Sequence, residues 1–553
     1  MLSILGLSTT YILRWIFVAL AIYIVFACTY SLFATKSAPE IWGYFNIVDG
    51  EKIPITHWEN VIGRNKSADI RIDNDTLSKD HALLTRKGNG KWLIKDLNSH
   101  NGVRVNGEPI KEATITSEDS ITIGDTFTSV EDIIPEAQPS KKVMSLIPVT
   151  IAITVFQALT ILQLLIGTEN KLHTLFPIIM LSVIMWAYIL FFTYRKVHGF
   201  ELELIAFFMT TINLAVMASS EPDRLKTEMI AIVVGIGLMI FMCVYMRDIK
   251  RVEKIKPILI GLAIIALIIN MLIGDEKNGA SNWINIAGNS LQPSELVKVA
   301  FLFIGAETLD KLYDRKNTLL YALFALFCVG CLVFMSDFGT AAIFLATYLV
   351  VSFLRSGDFS RMILSAGALA SMGLMVIKMK PYIADRFSAW RHVWEPDFVG
   401  DKGFQQTRTM SYGAGGGLLG LGAGNGSLHN LGAANTDLVF GYVMEEWGLI
   451  IAILMVLCIA IFTYFAFSHI LAGRSTFYTI LACGTASMML VQTMLNVFGS
   501  VDILPLTGVT LPFVSAGGTS MVASWAMLAC LKVSDMRPNA SLAVKWRKEA
   551  KNA

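Results

Sequence analysis

The sequence predicts a multi-span α-helical membrane protein with a small all-β soluble module near its N-terminus. Three observations lead there. Hydrophobic residues make up 54% of the 553 and charged residues only 16%, where average soluble domains carry about 25% charge. Apolar runs recur along most of the chain, and a run of about 20 residues is long enough to cross a bilayer as a helix. One stretch, residues 41–135, breaks the pattern with short alternating segments (68–73, 91–96) and turn residues at 87–90 and Asn106-Gly107. Strands at that spacing predict a β-sandwich.

In chain order, residues 11–33 form the first apolar segment, interrupted early by Arg14. No small-residue cleavage site follows, which favours an uncleaved anchor over a signal peptide. After the β module, apolar segments recur at about 143–166, 173–194, 200–218, 227–246, 256–273, 294–310, 318–335, 338–354, 362–379, 438–467, 475–497 and 515–533. With the first they suggest some thirteen spans. Basic residues orient them. Arg247, Lys250, Arg251, Lys254 and Lys256 crowd one short loop. Arg195, Lys196, Lys311, Arg315, Lys316, Arg355, Arg361, Arg474 and the tail (Lys545, Arg547, Lys548, Lys551) fall on the same side when spans alternate. That face is expected to be cytoplasmic, in a multi-pass protein of the cytoplasmic membrane. It places 41–135 and the C-terminus in the cytoplasm, and 274–293, 380–437 and 498–514 outside. The net charge of +2 is too small to suggest a nucleic-acid partner. All seven cysteines lie in apolar runs and read as small buried hydrophobes, the formal CxxC at Cys328 and Cys331 included.

One polar interruption of the C-terminal half, residues 380–437, is long and densely charged. It holds Asp385, Arg386, Trp390, Arg391, His392, Trp394, Glu395, Asp397, Asp401 and Lys402, then Gly403–Thr407, a glycine-rich run from Gly413 to Gly426, and Asn435-Thr436-Asp437. Such a loop is functional or disordered, and the interleaved aromatics argue against disorder. It is expected to be the active-site loop of a membrane enzyme. The glycines are no phosphate loop, because no Gly-Lys-Ser/Thr follows and no strand precedes; they are expected to let a re-entrant segment pack closely. Glu295, Lys298, Asp337, Glu445 and Glu446 lie at helix ends, where function competes with simple snorkelling.

Within 41–135, the order Gly63-Arg64, Ser78-Lys79-Asp80-His81, Ser99-His100-Asn101-Gly102 and Asn106-Gly107 resembles a forkhead-associated (FHA) domain. The resemblance implies an eleven-stranded sandwich whose loops bind phosphothreonine peptides. Arg64 offers a charge-assisted bond to phosphate, Ser78 a hydroxyl and Lys79 a point charge. Asn101 would hold the peptide backbone, and His81 would be architectural. Lys79 stands where Arg is common in the family, which weakens bidentate contact. The competing reading is a sandwich that has lost its ligand.

The region from about 200 to 535 resembles the SEDS family, the membrane glycosyltransferases FtsW, RodA and SpoVE that polymerise peptidoglycan. Four stretches carry the resemblance: Trp283–Ile286 with Gln292–Lys298; Ser336–Thr340; Gly403–Thr407 through Thr436-Asp437 and Glu445–Gly448; and Pro505–Gly518. It implies a ten-helix core, here with about three extra spans. The organisation is then an anchor (1–40), an FHA domain (41–135), two additional helices (136–199), the SEDS domain (200–535) and a basic cytoplasmic tail (536–553). Asn282 stands where the family commonly has Arg, and Asn435 where it has His.

The resemblance also implies the substrate, lipid II, whose undecaprenyl pyrophosphate is its own leaving group. A glycosidase needs a carboxylate pair because its leaving alcohol must be protonated. Here one base suffices to take the proton of the acceptor sugar's 4-hydroxyl, with cations to neutralise the pyrophosphate. Asp397 matches the family's essential Asp and is the expected base, with Asp401 and Glu395 as alternatives. Arg386, Arg391, Lys402, Arg408 and Lys298 are the candidate cations, and Gln405, Trp283 and Glu295 further substrate-binding residues. A divalent cation is the one cofactor left open. Expected partners are membrane lipids, a class B penicillin-binding transpeptidase and a phosphothreonine protein read by the FHA domain. Two rival readings stand: a lipid-linked precursor flippase, and a non-catalytic divisome scaffold.

Overall fold

The computed structural model describes residues 2–34, 41–48, 52–65, 68–87, 91–133, 145–168, 175–247, 249–277, 280–286, 289–310, 315–356, 388–468, 475–535, 537 and 540–542, with isolated positions between 359 and 371. Most of the span expected at 362–379 therefore lies outside the described residues, as do Asp385 and Arg386. The chain divides into two compact units: Lys36–Lys141 with Ser468–Thr479, and Met1–Thr35 with Lys142–Phe467 and Ile480–Ala553.

The first unit holds eleven strands in two sheets: β1 (Gly43–Ile47), β2 (Lys52–Ile55), β3 (Glu59–Gly63), β4 (Ile70–Arg71), β5 (Ala82–Arg86), β6 (Trp92–Asp96), β7 (Val103–Val105), β8 (Glu108–Ile110), β9 (Glu112–Ile115), β10 (Ile121–Ile123) and β11 (Thr126–Asp132). Their orders are β2-β1-β11-β10-β7-β8 and β4-β3-β5-β6-β9. Alternation buries one face of each sheet: Phe45, Ile55, Ile62, Leu84, Ile94, Ile121 and Ile123 are all fully buried. Arg86 is the charged exception. Its guanidinium lies over the rings of Trp42 and Trp92 (5.0 and 5.1 Å), donates to the Trp42 carbonyl (2.8 Å) and pairs with Asp132 at 2.9 Å.

The second unit is helical. In order come α1 (Leu2–Ala34), α2 (Ile147–Gly167), α3 (Phe176–Tyr194), α4 (Glu201–Ser220), α5 (Leu225–Tyr245), α6 (Ile249–Ile273), α7 (Pro293–Asp310), α8 (Arg315–Phe334), α9 (Phe338–Ser356), α10 (Pro396–Val399), α11 (Phe404–Gly416), α12 (Val439–Trp447), α13 (Leu449–Ser468), α14 (Thr476–Ser500) and α15 (Gly518–Lys532). Among the described residues nine helices are long and apolar enough to cross a membrane, and the protein is a multi-pass membrane protein. Helix α4 is its axis, buried at every residue from Glu201 to Ala218. At the start of α4, Glu201 takes two bonds from the Arg537 guanidinium (2.9 and 2.8 Å) and one from Ser31 (2.7 Å), while Glu203 pairs with Lys532 at 3.2 Å.

The structure departs from the sequence reading in three places. The run 438–467 is not one span but α12 and α13, broken at Gly448 (φ 89°). A Cβ there would run into the Leu418 carbonyl oxygen, so the break is where the glycine-rich segment presses against the helix. The run 515–533 gives only the 15 residues of α15. The loop before α7 pairs as a three-stranded sheet, β12 (Asp275–Lys277), β13 (Ala280–Ile286) and β14 (Asn289–Leu291).

Candidate functional site

The family-like stretches, far apart in sequence, meet around one cleft of about 1000 Å3. Strand β13 brings Asn282 and Trp283, the α8–α9 turn Ser336 and Asp337, and α11 Gln405. The segment before α12 brings Asn435, Thr436 and Asp437, and the chain between α14 and α15 brings Thr507, Thr510 and Gly517. Helix α5 and the turn before it supply Glu221, Arg224 and Glu228.

Local chemistry fixes each group. Ser336 sits in the left-handed region (φ 61°) and turns the chain into α9. Asp337 then caps that helix, its Oδ1 accepting the Thr340 N–H at 3.1 Å. Its Oδ2 accepts from the amides of Asn282 (2.7 Å) and Gln292 (3.4 Å), which ties the first two motif stretches together. Asn435 donates to Ser220 Oγ (3.2 Å) and Glu221 Oε1 (3.1 Å), and Glu221 pairs with Arg224 at 3.1 Å. Ser515 Oγ donates to the Thr436 carbonyl (2.6 Å), and the Asn496 amide spans the carbonyls of Asp437 (3.0 Å) and Val509 (2.7 Å).

Behind the wall lies a buried relay. Lys298 Nζ pairs with Glu295 at 2.7 Å and donates to Gln492 Oε1 at 3.2 Å; Gln492 in turn donates to the Thr510 carbonyl at 2.8 Å. Lys298 is fully buried and Glu295 3% exposed, so neither is part of the cleft lining. Glu445 and Glu446 hold backbone. Glu445 accepts the N–H groups of Ser427 (2.7 Å) and Leu428 (2.9 Å), Glu446 accepts from Ser219 at 3.0 Å, and their carbonyls bind Leu421 and Gly422. That accounts for the glycine-rich run: its backbone lies directly against α12.

The charged loop flanks the cleft through α11. It is tied to the chain after α14 by Trp390 Nε1, which donates to the Ile503 carbonyl (3.1 Å), and by the Arg391 N–H, which donates to Asp502 (3.1 Å). Glu395 pairs with His392 at 2.6 Å and precedes the single turn of α10. Asp397, Asp401, Arg391, Lys402 and Arg408 are all exposed, and none lines the cleft. Of the described substrate residues singled out from sequence, only Trp283 and Gln405 do. Sequence reasoning assigned no role to Asn282, Gln292, Asp437, Thr507 or Glu228. For Glu228 a signal existed, a lone carboxylate inside an apolar segment. Among the described residues no group of three or more His, Cys, Asp or Glu is placed to hold a metal ion.

At one end of the sandwich, Arg64, Lys79 and Asn101 are exposed around a half-buried Ser78. Gly63 allows this: a Cβ there would run into the Lys79 carbonyl oxygen, and the next N–H, of Arg64, donates to the Ser78 carbonyl (3.2 Å). His81, fully buried, accepts the Ser78 N–H at Nδ1 (3.0 Å), which leaves Nε2–H to donate to the Gly102 carbonyl (3.0 Å). Ser78 Oγ accepts the His100 N–H (3.0 Å) and keeps its own proton to donate. The Asn101 amide holds the Thr76 carbonyl at 2.7 Å, and Asp75 is 3.6 Å from the Arg64 guanidinium.

Comparison with known proteins places both units. Residues 196–537 match the model of cell cycle proteins of the FtsW, RodA and SpoVE type, and residues 60–124 match the FHA domain model. The peptidoglycan glycosyltransferase RodA of Mycobacterium tuberculosis is 29% identical over 328 residues, 55% of this chain and 68% of its own. The probable peptidoglycan glycosyltransferase FtsW of Wigglesworthia glossinidia brevipalpis is 30% identical over 311 residues, 54% of this chain and 81% of its own. A solved chain from work on the coordination of polymerization and crosslinking by a peptidoglycan synthase complex aligns with a TM-score of 0.51 at 24% identity, over 60% of this chain and 96% of that one. At that identity it speaks for the fold alone.

Proposed function

Because the chain belongs to the cell cycle protein family of FtsW, RodA and SpoVE, matched over residues 196–537, we propose that it is a peptidoglycan glycosyltransferase that polymerises lipid II into glycan strands. The observation that carries the reading is the convergence of its separate motif stretches on one cleft. A scaffold would not need to hold Asp337, Asn282 and Gln292 in one hydrogen-bonded set facing open space. Asp397 serves as general base toward the acceptor sugar's 4-hydroxyl, on the loop whose Gln405 reaches the cleft. The exposed cations Arg391, Lys402 and Arg408, with Arg386, neutralise the departing pyrophosphate. Lys298 and Glu295 support the wall through Gln492 and Thr510.

The FHA module reads a phosphothreonine protein through Arg64, Ser78, Lys79 and Asn101, and so links polymerisation to Ser/Thr kinase signalling. A class B penicillin-binding transpeptidase crosslinks the strands. The distribution of basic loops supports a cytoplasmic FHA module and C-terminus, with the 380–437 loop on the outer face. The purified full-length chain, given lipid II and the partner transpeptidase, is expected to form glycan strands. Lipid II transport across vesicles without strands would favour a flippase, and neither activity a scaffold.

A further inference from the structure

Among the described residues, three side-chain oxygens of the cleft lining lack a hydrogen-bond partner. Glu228 is 4% exposed and Asn282 7%. Both line the cleft, yet among the described residues Glu228 Oε1 and Asn282 Oδ1 have no hydrogen-bond partner, and neither has Thr507 Oγ1 on the facing segment. The Gly517 backbone and the Asn213 side chain lie against the Glu228 carboxylate, but Oε1 is left without a donor. Asn282 cannot be turned round to cure its own deficit, because its amide nitrogen is held by Asp337 at 2.7 Å. Buried acceptors without donors are destabilising unless something entering the cleft supplies them.

Charge points the same way. Among the described lining residues the carboxylates are Glu221, Glu228, Asp337 and Asp437, and the one cation is Arg224, already paired with Glu221. A pyrophosphate is an anion that carries acceptors and no donors. It would meet like charge and leave Glu228 Oε1 and Asn282 Oδ1 unsatisfied, since only Thr507, a hydroxyl, could donate to it. A sugar carries hydroxyl and amide N–H donors at many positions and no charge.

We propose that this cleft seats a hydroxyl-bearing sugar of lipid II, with Glu228, Asn282 and Thr507 receiving its donors, and that the pyrophosphate lies outside it against the exposed cations of the charged loop. The assignment rests on the glycosyltransferase reading and adds to it which part of lipid II the cleft holds. Its three oxygens come from α5, β13 and the segment after α14, so they surround a ligand rather than grip one edge.

The test uses the full-length chain with Glu228→Gln and Thr507→Val, two changes that keep side-chain shape, each checked for an unaltered thermal midpoint. Two quantities are read: KM and kcat for lipid II, and direct binding of the disaccharide–peptide headgroup freed of its lipid pyrophosphate. Each variant should raise KM and weaken headgroup binding by about tenfold, the size of one lost hydrogen bond. Competition by undecaprenyl pyrophosphate should be unchanged. Headgroup binding that both variants leave intact overturns the proposal, as does a matching change in undecaprenyl pyrophosphate competition. A wild-type chain that binds headgroup, loses it in the variants and makes no strands would sustain the sugar site and remove the polymerase reading.

Discussion

Lys298 offers the sharpest test, because sequence and structure suggest different roles for it. Its position after the loop invites a role as pyrophosphate cation, whereas the structure buries it completely against Glu295. Lys298→Met removes the ammonium and leaves a 3%-exposed carboxylate whose Oε2 already lacks a partner. Breaking a buried pair from one side costs about 3–5 kcal/mol. Adding Glu295→Gln removes the stranded charge and leaves an unpaired polar group, worth about 1–3 kcal/mol. The double variant should therefore be more stable than the single one, by roughly 2 kcal/mol as the difference of those ranges. Unfolding free energies from detergent titration of the purified chain measure both, alongside strand formation from lipid II. Lys298→Met that unfolds like wild type and yet makes no strands would refute the burial argument and return Lys298 to the substrate.

Asp397→Asn should lower strand formation by about 10²–10⁴-fold, the range of a general base, and leave folding unaltered because the residue is exposed; Asp401→Asn and Glu395→Gln, assayed beside it, should lose far less. Arg64→Ala should weaken phosphothreonine-peptide binding by about 1.5–3 kcal/mol, read by calorimetry, with the sandwich still folded. Asp119 is held below the usual aspartate range by bonds from the Asn106 side chain and from the Thr116 hydroxyl and N–H. A lowered carboxylate contributes stability above its unfolded pKa and loses it as pH falls through the folded one. Asp119→Asn should accordingly flatten the acid limb of FHA-unit stability below about pH 4, followed by thermal melts across pH. Cysteine labelling of residues 90 and 426 should occur from opposite faces of the membrane; labelling of both from one face would contradict the charge-derived topology.

The sequence carried the fold class plainly and the site only in part. Period-two alternation and turn residues sufficed for the sandwich, and apolar length sufficed for most helices. The break at Gly448 was hidden because it comes from the backbone of 417–420 pressing on α12, a contact that no local pattern encodes. The motifs located the cleft but not its polarity. Asp397 is singled out by its match to the family's essential Asp, while Asn282, a neutral residue, shares the positioning of Asp337 with Gln292. Glu228 lies inside an apolar run, where a single carboxylate leaves the pattern unchanged, and the burial of Lys298 cannot be told from its helix position.

The helices before residue 196 are part of the catalytic unit and not a separable tether. Each makes a polar contact that would otherwise lie unpaired within the membrane. Gln157 of α2 donates to Thr211 (3.0 Å), Tyr188 of α3 to Glu203 (2.8 Å), and Ser31 of α1 to Glu201 (2.7 Å), all three on α4. Glu201 and Glu203 keep Arg537 and Lys532 without these helices, but Gln157, Tyr188 and Ser31 left without α4 would face lipid, where unsatisfied polar atoms are costly. Arg14, which looked like a flaw in an anchor helix, donates to the Leu421 carbonyl at 2.5 Å, in the glycine-rich segment that braces α12. Phe17, one turn on, packs edge-on against Trp447 at 5.1 Å. The helix that precedes the FHA module in sequence is thus bonded both to the axis of the membrane unit and to the backbone behind its cleft.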